Sequence, residues 1–215
     1  MKQNQRYNPA EFQRKFFVYR LLQDYYSGCL WQKKDNWNEI LLTLAETRYQ
    51  EEIIFFDLGM RLIQKLTQEA VYDFNRLFVG PEKLLAPPYE SAYRNAEGLL
   101  MQKETTDVRK FYSIVGLSVV GQNREPDDFI GLELEFLCFL LYQAVSCFQR
   151  GEERADFYLN VYFEFLNMHL GNWVSDHCED VLRHSTSYFC KGMAMLTKGF
   201  IEREKSLLMH KEEIL

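Results

Sequence analysis

Helical periodicity dominates the chain. Phe12, Phe16, Tyr19 and Tyr26 fall on one face of a segment that opens with Asn8, Pro9 and Glu11. That is the order of a cap, a first-position proline and a third-position glutamate. Asn36 and Glu39 have capping-box spacing ahead of an apolar run at 40–44, and Thr47 and Gln50 repeat it ahead of 53–56. The spacing predicts a further helix from about Thr67 to Phe78, stopped by Gly80-Pro81.

Residues 80–98 break the pattern. Pro81, Pro87 and Pro88 between bounding glycines argue for an ordered loop. Helix is expected again from near Thr105 to near Gly116. A second break, with Gly121 and Pro126, precedes a long apolar helix from about Pro126 to Arg150, which Gly151 ends. Another helix is expected over Glu153–Leu170, and two more beyond Ser175. No period-2 strand stands out. The expected fold is all-α: one compact helical bundle of about nine or ten helices over residues 1–215, with a candidate hinge near 117–125 separating two halves.

Composition narrows the class. At 47% hydrophobic and 26% charged residues, the chain can build a core and is not a disordered tail. A net charge of −6 argues against a nucleic-acid binder, which presents a basic face. Residues 1–17 hold no apolar signal region and no cleavage site, and the chain has no Arg-Arg pair. The most apolar stretch, Ile130–Phe148, contains Glu133 and Glu135. Carboxylates are costly in a lipid-facing helix, so a buried helix is expected, without stable membrane insertion, in a cytoplasmic protein. Cys29, Cys138, Cys147, Cys178 and Cys190 form no CxxC pair and read as reduced, mostly buried thiols.

Catalytic signatures are missing: no Walker loop, GxGxxG, HExxH or GxSxG occurs. His177 and His184 flank Cys178 at helical spacing, but a metal site needs a further convergent ligand. Asp180 and His184 read as an ordinary helix pair. Glu133 and Glu135, two apart, point to different faces and do not suggest a paired-carboxylate site. No catalytic residue, metal site or cofactor is expected.

Two segments carry more information. The first is Phe74-Asn75-Arg76-Leu77-Phe78-Val79-Gly80-Pro81, continued by Ala86-Pro87-Pro88-Tyr89-Glu90-Ser91-Ala92-Tyr93. The second is Glu125-Pro126-Asp127-Asp128-Phe129. Weaker matches follow at His169-Leu170-Gly171-Asn172-Trp173 and at Ala194-Met195-Leu196-Thr197-Lys198-Gly199-Phe200. In order and spacing these resemble the TorD/DmsD family of redox-enzyme maturation chaperones. One departure stands out: the family's second motif usually carries His where this chain has Phe129, so a polar or pH-sensitive contact there is not expected in the same form.

The resemblance implies an all-helical fold and a chaperone that binds the twin-arginine leader, the apo-form, or both, of a molybdenum-dependent reductase or dehydrogenase precursor. It would hold the client for cofactor insertion and against premature export. Such a leader presents two guanidinium groups beside an apolar segment, so its receptor needs an apolar groove flanked by carboxylates. The positions the resemblance marks as leader-binding are Phe74, Leu77, Phe78, Pro87, Pro88, Tyr89, Tyr93, Glu125, Asp127 and Asp128. Phe74, Leu77 and Phe78 equally have core spacing. Asp127 and Asp128 equally suit the first turn of a helix. Pro87-Pro88 equally suit a brace for the loop, and Trp173 reads as a packing anchor. Alternatives are an assembly chaperone binding the mature part of a nitrate-reductase-like subunit, and a nucleotide-binding protein, for which no phosphate loop is visible. A homodimer formed by exchange of halves at the 117–125 hinge is also among the implied partners.

Overall fold

A computed structural model describes residues 9–32, 68–81, 83–95, 97–120 and 125–212. The capping boxes at 36–39 and 47–50, the cap at Asn8 and residues 121–124 of the hinge candidate lie outside these residues. Among the described residues there are eight α-helices and no strand. They are α1 (Pro9–Tyr26), α2 (68–78), α3 (Glu90–Arg94), α4 (Lys103–Ile114), α5 (Ile130–Arg150), α6 (Ala155–Met168), α7 (Leu170–His184) and α8 (Tyr188–Glu212). The all-α expectation holds, and the count is close to the one expected.

The apolar run of α5 makes it the central helix. It packs against α1 on one side and α6 on another, while α7 pairs with α8. Leu134, Leu137, Leu140, Leu141 and Ala144 are all buried. Each large side chain removed from water there contributes about 1.5–3 kcal/mol. By length and composition α5 would cross a membrane, but most of it is enclosed by its neighbours. It is the core helix that Glu133 and Glu135 suggested: Glu133 is buried and Glu135 is exposed.

The expected face of α1 is present. Tyr19 and Tyr26 are buried, and Phe12 and Phe16 pack against the core from its margin. The Tyr19 and Tyr162 hydroxyls lie 2.7 Å apart, Tyr162 donates to Glu204 at 2.7 Å, and Lys15 reaches Glu204 at 2.9 Å. This chain of polar contacts ties α1, α6 and α8 together through groups that would be costly to bury unpaired.

Three local features differ from expectation. α5 begins at Ile130, not Pro126, because residues 126–129 are engaged with the proline loop. Asp127 and Asp128 therefore precede the helix instead of forming its first turn. α6 ends at Met168 and α7 already starts at Leu170, so the chain turns within one residue, His169, at φ −118° and ψ −102°. No proline marks that corner, and its signal is lost in a continuous helical pattern. Finally, Asp180 pairs with Arg183 at 2.9 Å, not with His184.

The segment containing Phe74 to Pro81 is anchored by a contact that spacing did not suggest. Asp73, fully buried, accepts hydrogen bonds from the Ser187 and Thr186 amides and from the Ser185 hydroxyl, at 2.7–3.1 Å. It thus caps the start of α8 from a distant helix. Arg76 donates to Asp73 at 2.7 Å and to the His184 carbonyl at 2.5 Å. Burial alone would raise the Asp73 carboxyl, but bonds from Ser185, Arg76 and Ser187 outweigh it and hold the group below the usual range. α2 ends where expected, at Phe78, ahead of Gly80, whose φ of 98° favours a residue without a side chain.

All five cysteines are free thiols. Cys29 is exposed and the other four are buried.

Candidate functional site

The proline loop crosses the bundle between α2 and α3 and is fixed from three directions. From α2, the Leu77 carbonyl accepts the Ala86 amide at 3.2 Å. From α7, His177 Nδ1 lies 3.2 Å from the Pro87 carbonyl and 3.3 Å from the Tyr93 hydroxyl. From the 126–129 turn, Ile130 donates its amide to Pro88 and Glu90 donates its amide to Asp128, at 2.9 and 3.1 Å. Between these two bonds Tyr89 and Phe129 form an antiparallel bridge. The two expected motifs are therefore one unit, zipped together through their backbones.

Asp128 is the bolt of this unit. It is fully buried, accepts the Ser91 amide at 2.9 Å on one oxygen and the Thr105 hydroxyl at 2.7 Å on the other. It joins α3, α4 and the start of α5. Asp127, next to it, receives Arg109 at 2.5 and 3.0 Å, and its carbonyl accepts the Tyr112 hydroxyl at 2.8 Å. Asp128 thus spends both carboxyl oxygens on buried donors, whereas Asp127 gives one oxygen to a half-exposed arginine.

Phe129 packs its ring against Tyr89, with centroids 5.8 Å apart. A Cβ on Gly131 would stand 2.5 Å from the Phe129 ring and 3.1 Å from the Ser27 hydroxyl. Glycine at 131 is thus what leaves room for an aromatic at 129.

Of the aromatic trio in α2, Phe74, Leu77 and Phe78 are all buried. Phe74 and Phe78 stack edge-on with each other and with Tyr25, and Phe78 also meets Tyr26 and His177. Their helical spacing reflects the core. Pro88 is buried and Pro87 half-buried. Tyr93 is half-buried and stacks on buried Trp173, with centroids 5.6 Å apart, so Trp173 is a packing anchor. His177 sits in a box of Tyr26, Phe78, Tyr93 and Trp173, and burial pushes its imidazole down to about 3. It stays neutral and serves the loop, and no metal-holding cluster includes it among the described residues.

Two of the expected positions face outward together. The Tyr89 hydroxyl donates to Glu125 at 2.8 Å, and Glu125 is exposed while Tyr89 is half-buried. Burial, reinforced by Glu125, pushes the Tyr89 phenol well up, so it remains a donor. At the far end of α3, Asn95 accepts the Glu97 and Leu99 amides at 3.1 and 3.0 Å and donates to the Leu99 carbonyl at 2.7 Å. That turn presents Leu99, Leu100 and Met101 to solvent, at 50%, 41% and 68% exposure. Sequence reasoning missed this apolar shoulder. Its signal is an apolar triplet directly after Gly98, where a loop should be polar.

Comparison with known proteins follows the same lines. The family model described as "Nitrate reductase delta subunit" matches residues 32–179, which include the proline loop, the 125–129 turn and the His169 corner. The chain is 27% identical over 136 residues to a "Chaperone protein TorD" of Aliivibrio fischeri, covering 63% of this chain and 62% of that protein. It is 28% identical over 154 residues to a "Probable Tat proofreading chaperone DmsD" of Haemophilus influenzae, covering 69% of each. A further "Chaperone protein TorD", from Aliivibrio salmonicida, is 30% identical over 136 residues, or 63% of this chain and 62% of that protein. The chain thus spans less than two thirds of the length of the first of these relatives.

Proposed function

The chain belongs to the nitrate reductase delta subunit family, and from that footing we propose that it is a cytoplasmic chaperone for the precursor of a molybdenum-dependent oxidoreductase, held by its twin-arginine leader. The relatives named above are chaperones, one of them a Tat proofreading chaperone. No catalytic role is proposed. The observation that carries the reading is the outward Tyr89–Glu125 pair on a loop held rigidly from behind. A guanidinium replaces the phenol on the Glu125 carboxylate and forms a charge-assisted bond in its place. The loop pays little ordering cost on binding, because prolines and backbone bonds already fix it. The apolar part of the leader lies on Leu99, Leu100 and Met101, leaving Asp127, Asp128, Phe74, Leu77 and Phe78 to support the surface from within.

The test is a titration of labelled synthetic leader peptide, followed by fluorescence anisotropy. Glu125→Gln should weaken an Arg-Arg leader about tenfold or more, the worth of one charge-assisted bond. A Lys-Lys leader should already bind weakly to the wild type and lose little further. Equal affinity of wild type and Glu125→Gln for the Arg-Arg leader would sink the site assignment.

The family's description names a subunit of nitrate reductase, which favours a second reading: binding to the mature part of a client, independent of a leader. A client lacking its leader separates the two, since only the second reading expects it to bind.

A further inference from the structure

Beneath the proline loop, three carboxyl groups meet in the interior. Glu133 of α5 is fully buried, and Glu90 of α3 and Asp128 of the turn are buried beside it. Asp128 is satisfied by Ser91 and Thr105. Glu90 is paired with His169 at 2.8 Å. Glu133 is not provided for in this way. One of its oxygens accepts the Trp173 indole N–H at 3.3 Å, and the other has no partner. Among the described residues no cation reaches it: Arg109 is spent on Asp127, and His169 on Glu90. Of the other titratable groups, Tyr112 of α4 lies within electrostatic reach of Glu133 and gives its hydroxyl to the Asp127 carbonyl, and His177 of α7, on the far side of Trp173, is neutral. Ser91 Oγ and the Nε2 atoms of both histidines are buried and unpartnered as well.

An uncharged carboxylic acid is tolerable in such a place, but a carboxylate is not. It would lie unsolvated next to two negative groups with one weak donor for compensation. Burial and then the charges of Glu90 and Asp128 push the Glu133 carboxyl well above its ordinary range. The element that must give way if Glu133 ionises is the shortest α-helix among the described residues. α3 has five residues, carries Glu90, and is seated by the Asp128 bonds, by Glu90 on His169 and by Tyr93 on Trp173 and His177. α5, with 21 residues at the centre of the bundle, stays.

We propose that Glu133 is a proton-operated latch: neutral, it lets α3 seat and hold the Tyr89 edge in place; ionised, it repels Glu90 and lifts α3 and the loop away from Glu133. The proton leaves to water as the seam opens, and its return reseats the helix. Opening coupled to loss of one proton makes the open fraction grow about tenfold per pH unit in the range where Glu133 is neutral when seated. The proposal gives the leader-binding edge a control input, and in that use it rests on the reading above, but the latch itself is measurable without any client.

The experiment is amide hydrogen exchange of residues 89–95, resolved by mass spectrometry between pH 6 and 9 and corrected for the intrinsic pH dependence of exchange. Wild type should lose protection about tenfold per unit over part of this range, while α5 amides keep theirs. Glu133→Gln keeps the shape and removes the charge, so protection of 89–95 should become independent of pH. Trp173→Phe removes the indole donor that stabilises the anion, and should move the loss to higher pH. Since Trp173 is a core anchor, circular dichroism first establishes that this variant is folded, and Glu133→Gln decides alone if it is not. Equal loss in wild type and Glu133→Gln, or no loss in wild type up to pH 9, overturns the latch. Leader binding in the same buffers separates the two readings. A latch that responds while no leader binds at any pH refutes the leader, not the latch.

Discussion

Adjacent residues in this fold carry very different loads. Asp128 holds three elements with both of its oxygens inside the protein, whereas the Asp127 carboxyl meets only a half-exposed Arg109. Asp128→Ala should cost about 2–4 kcal/mol in urea unfolding, since it orphans a buried amide and a buried hydroxyl. Asp127→Ala should cost less than about 1 kcal/mol, the ordinary worth of a solvent-screened pair, because the Tyr112 bond goes to its backbone. Roughly equal losses would mean that Asp128 is not the bolt described. Gly131 offers a second contrast. Gly131→Ala should destabilise the wild type by about 1–3 kcal/mol through overpacking against Phe129, and much less in a Phe129→Ala background, where the ring is gone. Neither role was legible from sequence. Asp128 looked like a helix-start acid because Pro126 and two acids make that signature, and only the backbone zipper with Pro88 and Glu90 shows why the helix waits until Ile130.

At the scale of elements, helical periodicity was a good guide wherever one face is buried. It placed α2 and its stop at Gly80, α4, and the central α5. It failed where two helices meet without a breaker, as at His169, and it could not foresee contacts between distant segments. The cap that Asp73 provides to α8 is one of these, spanning more than a hundred residues. Asp73→Ala should therefore unfold more readily by about 2–3 kcal/mol at neutral pH. The folded Asp73 carboxyl lies below its unfolded value, so its contribution is present above pH 3.8 and is lost as pH falls through the folded value. Variant and wild type should differ less and less in that acid range, and a difference that persists undiminished would contradict the ionised cap. The outward Tyr89–Glu125 pair shows the converse strength of sequence reading. A loop aromatic braced by prolines had less need to be core, and it is indeed only half-buried. The α2 trio, with helical spacing, went to the core.

For the whole molecule, two buried groups set opposite pH trends. Glu133 is raised when folded, so its contribution is greatest below its unfolded value of 4.5 and declines by about 1.4 kcal/mol per unit above it. His177 is lowered to about 3, so its contribution is full above its unfolded value of 6.5 and declines as pH falls below it. The slopes offset one another between 4.5 and 6.5. Unfolding free energy should be flattest there and fall from pH 6.5 towards 8, and Glu133→Gln should abolish that fall, leaving only the loss at higher pH that the buried thiols and phenols, raised by burial, bring with them. The thiols report on the same packing. Native protein should give one rapidly modified cysteine, Cys29, and denatured protein five; two or more fast thiols in the native state would contradict the enclosed core.

The central claim concerns a partner, so the most direct measurement recovers it. The chain, tagged and purified gently from its own host grown without oxygen, should bring down a molybdenum-enzyme subunit with its twin-arginine leader still attached, and Glu125→Gln should bring down less of it. Recovery of leaderless subunit alone, in equal amounts with both proteins, would contradict leader binding at the Tyr89–Glu125 edge.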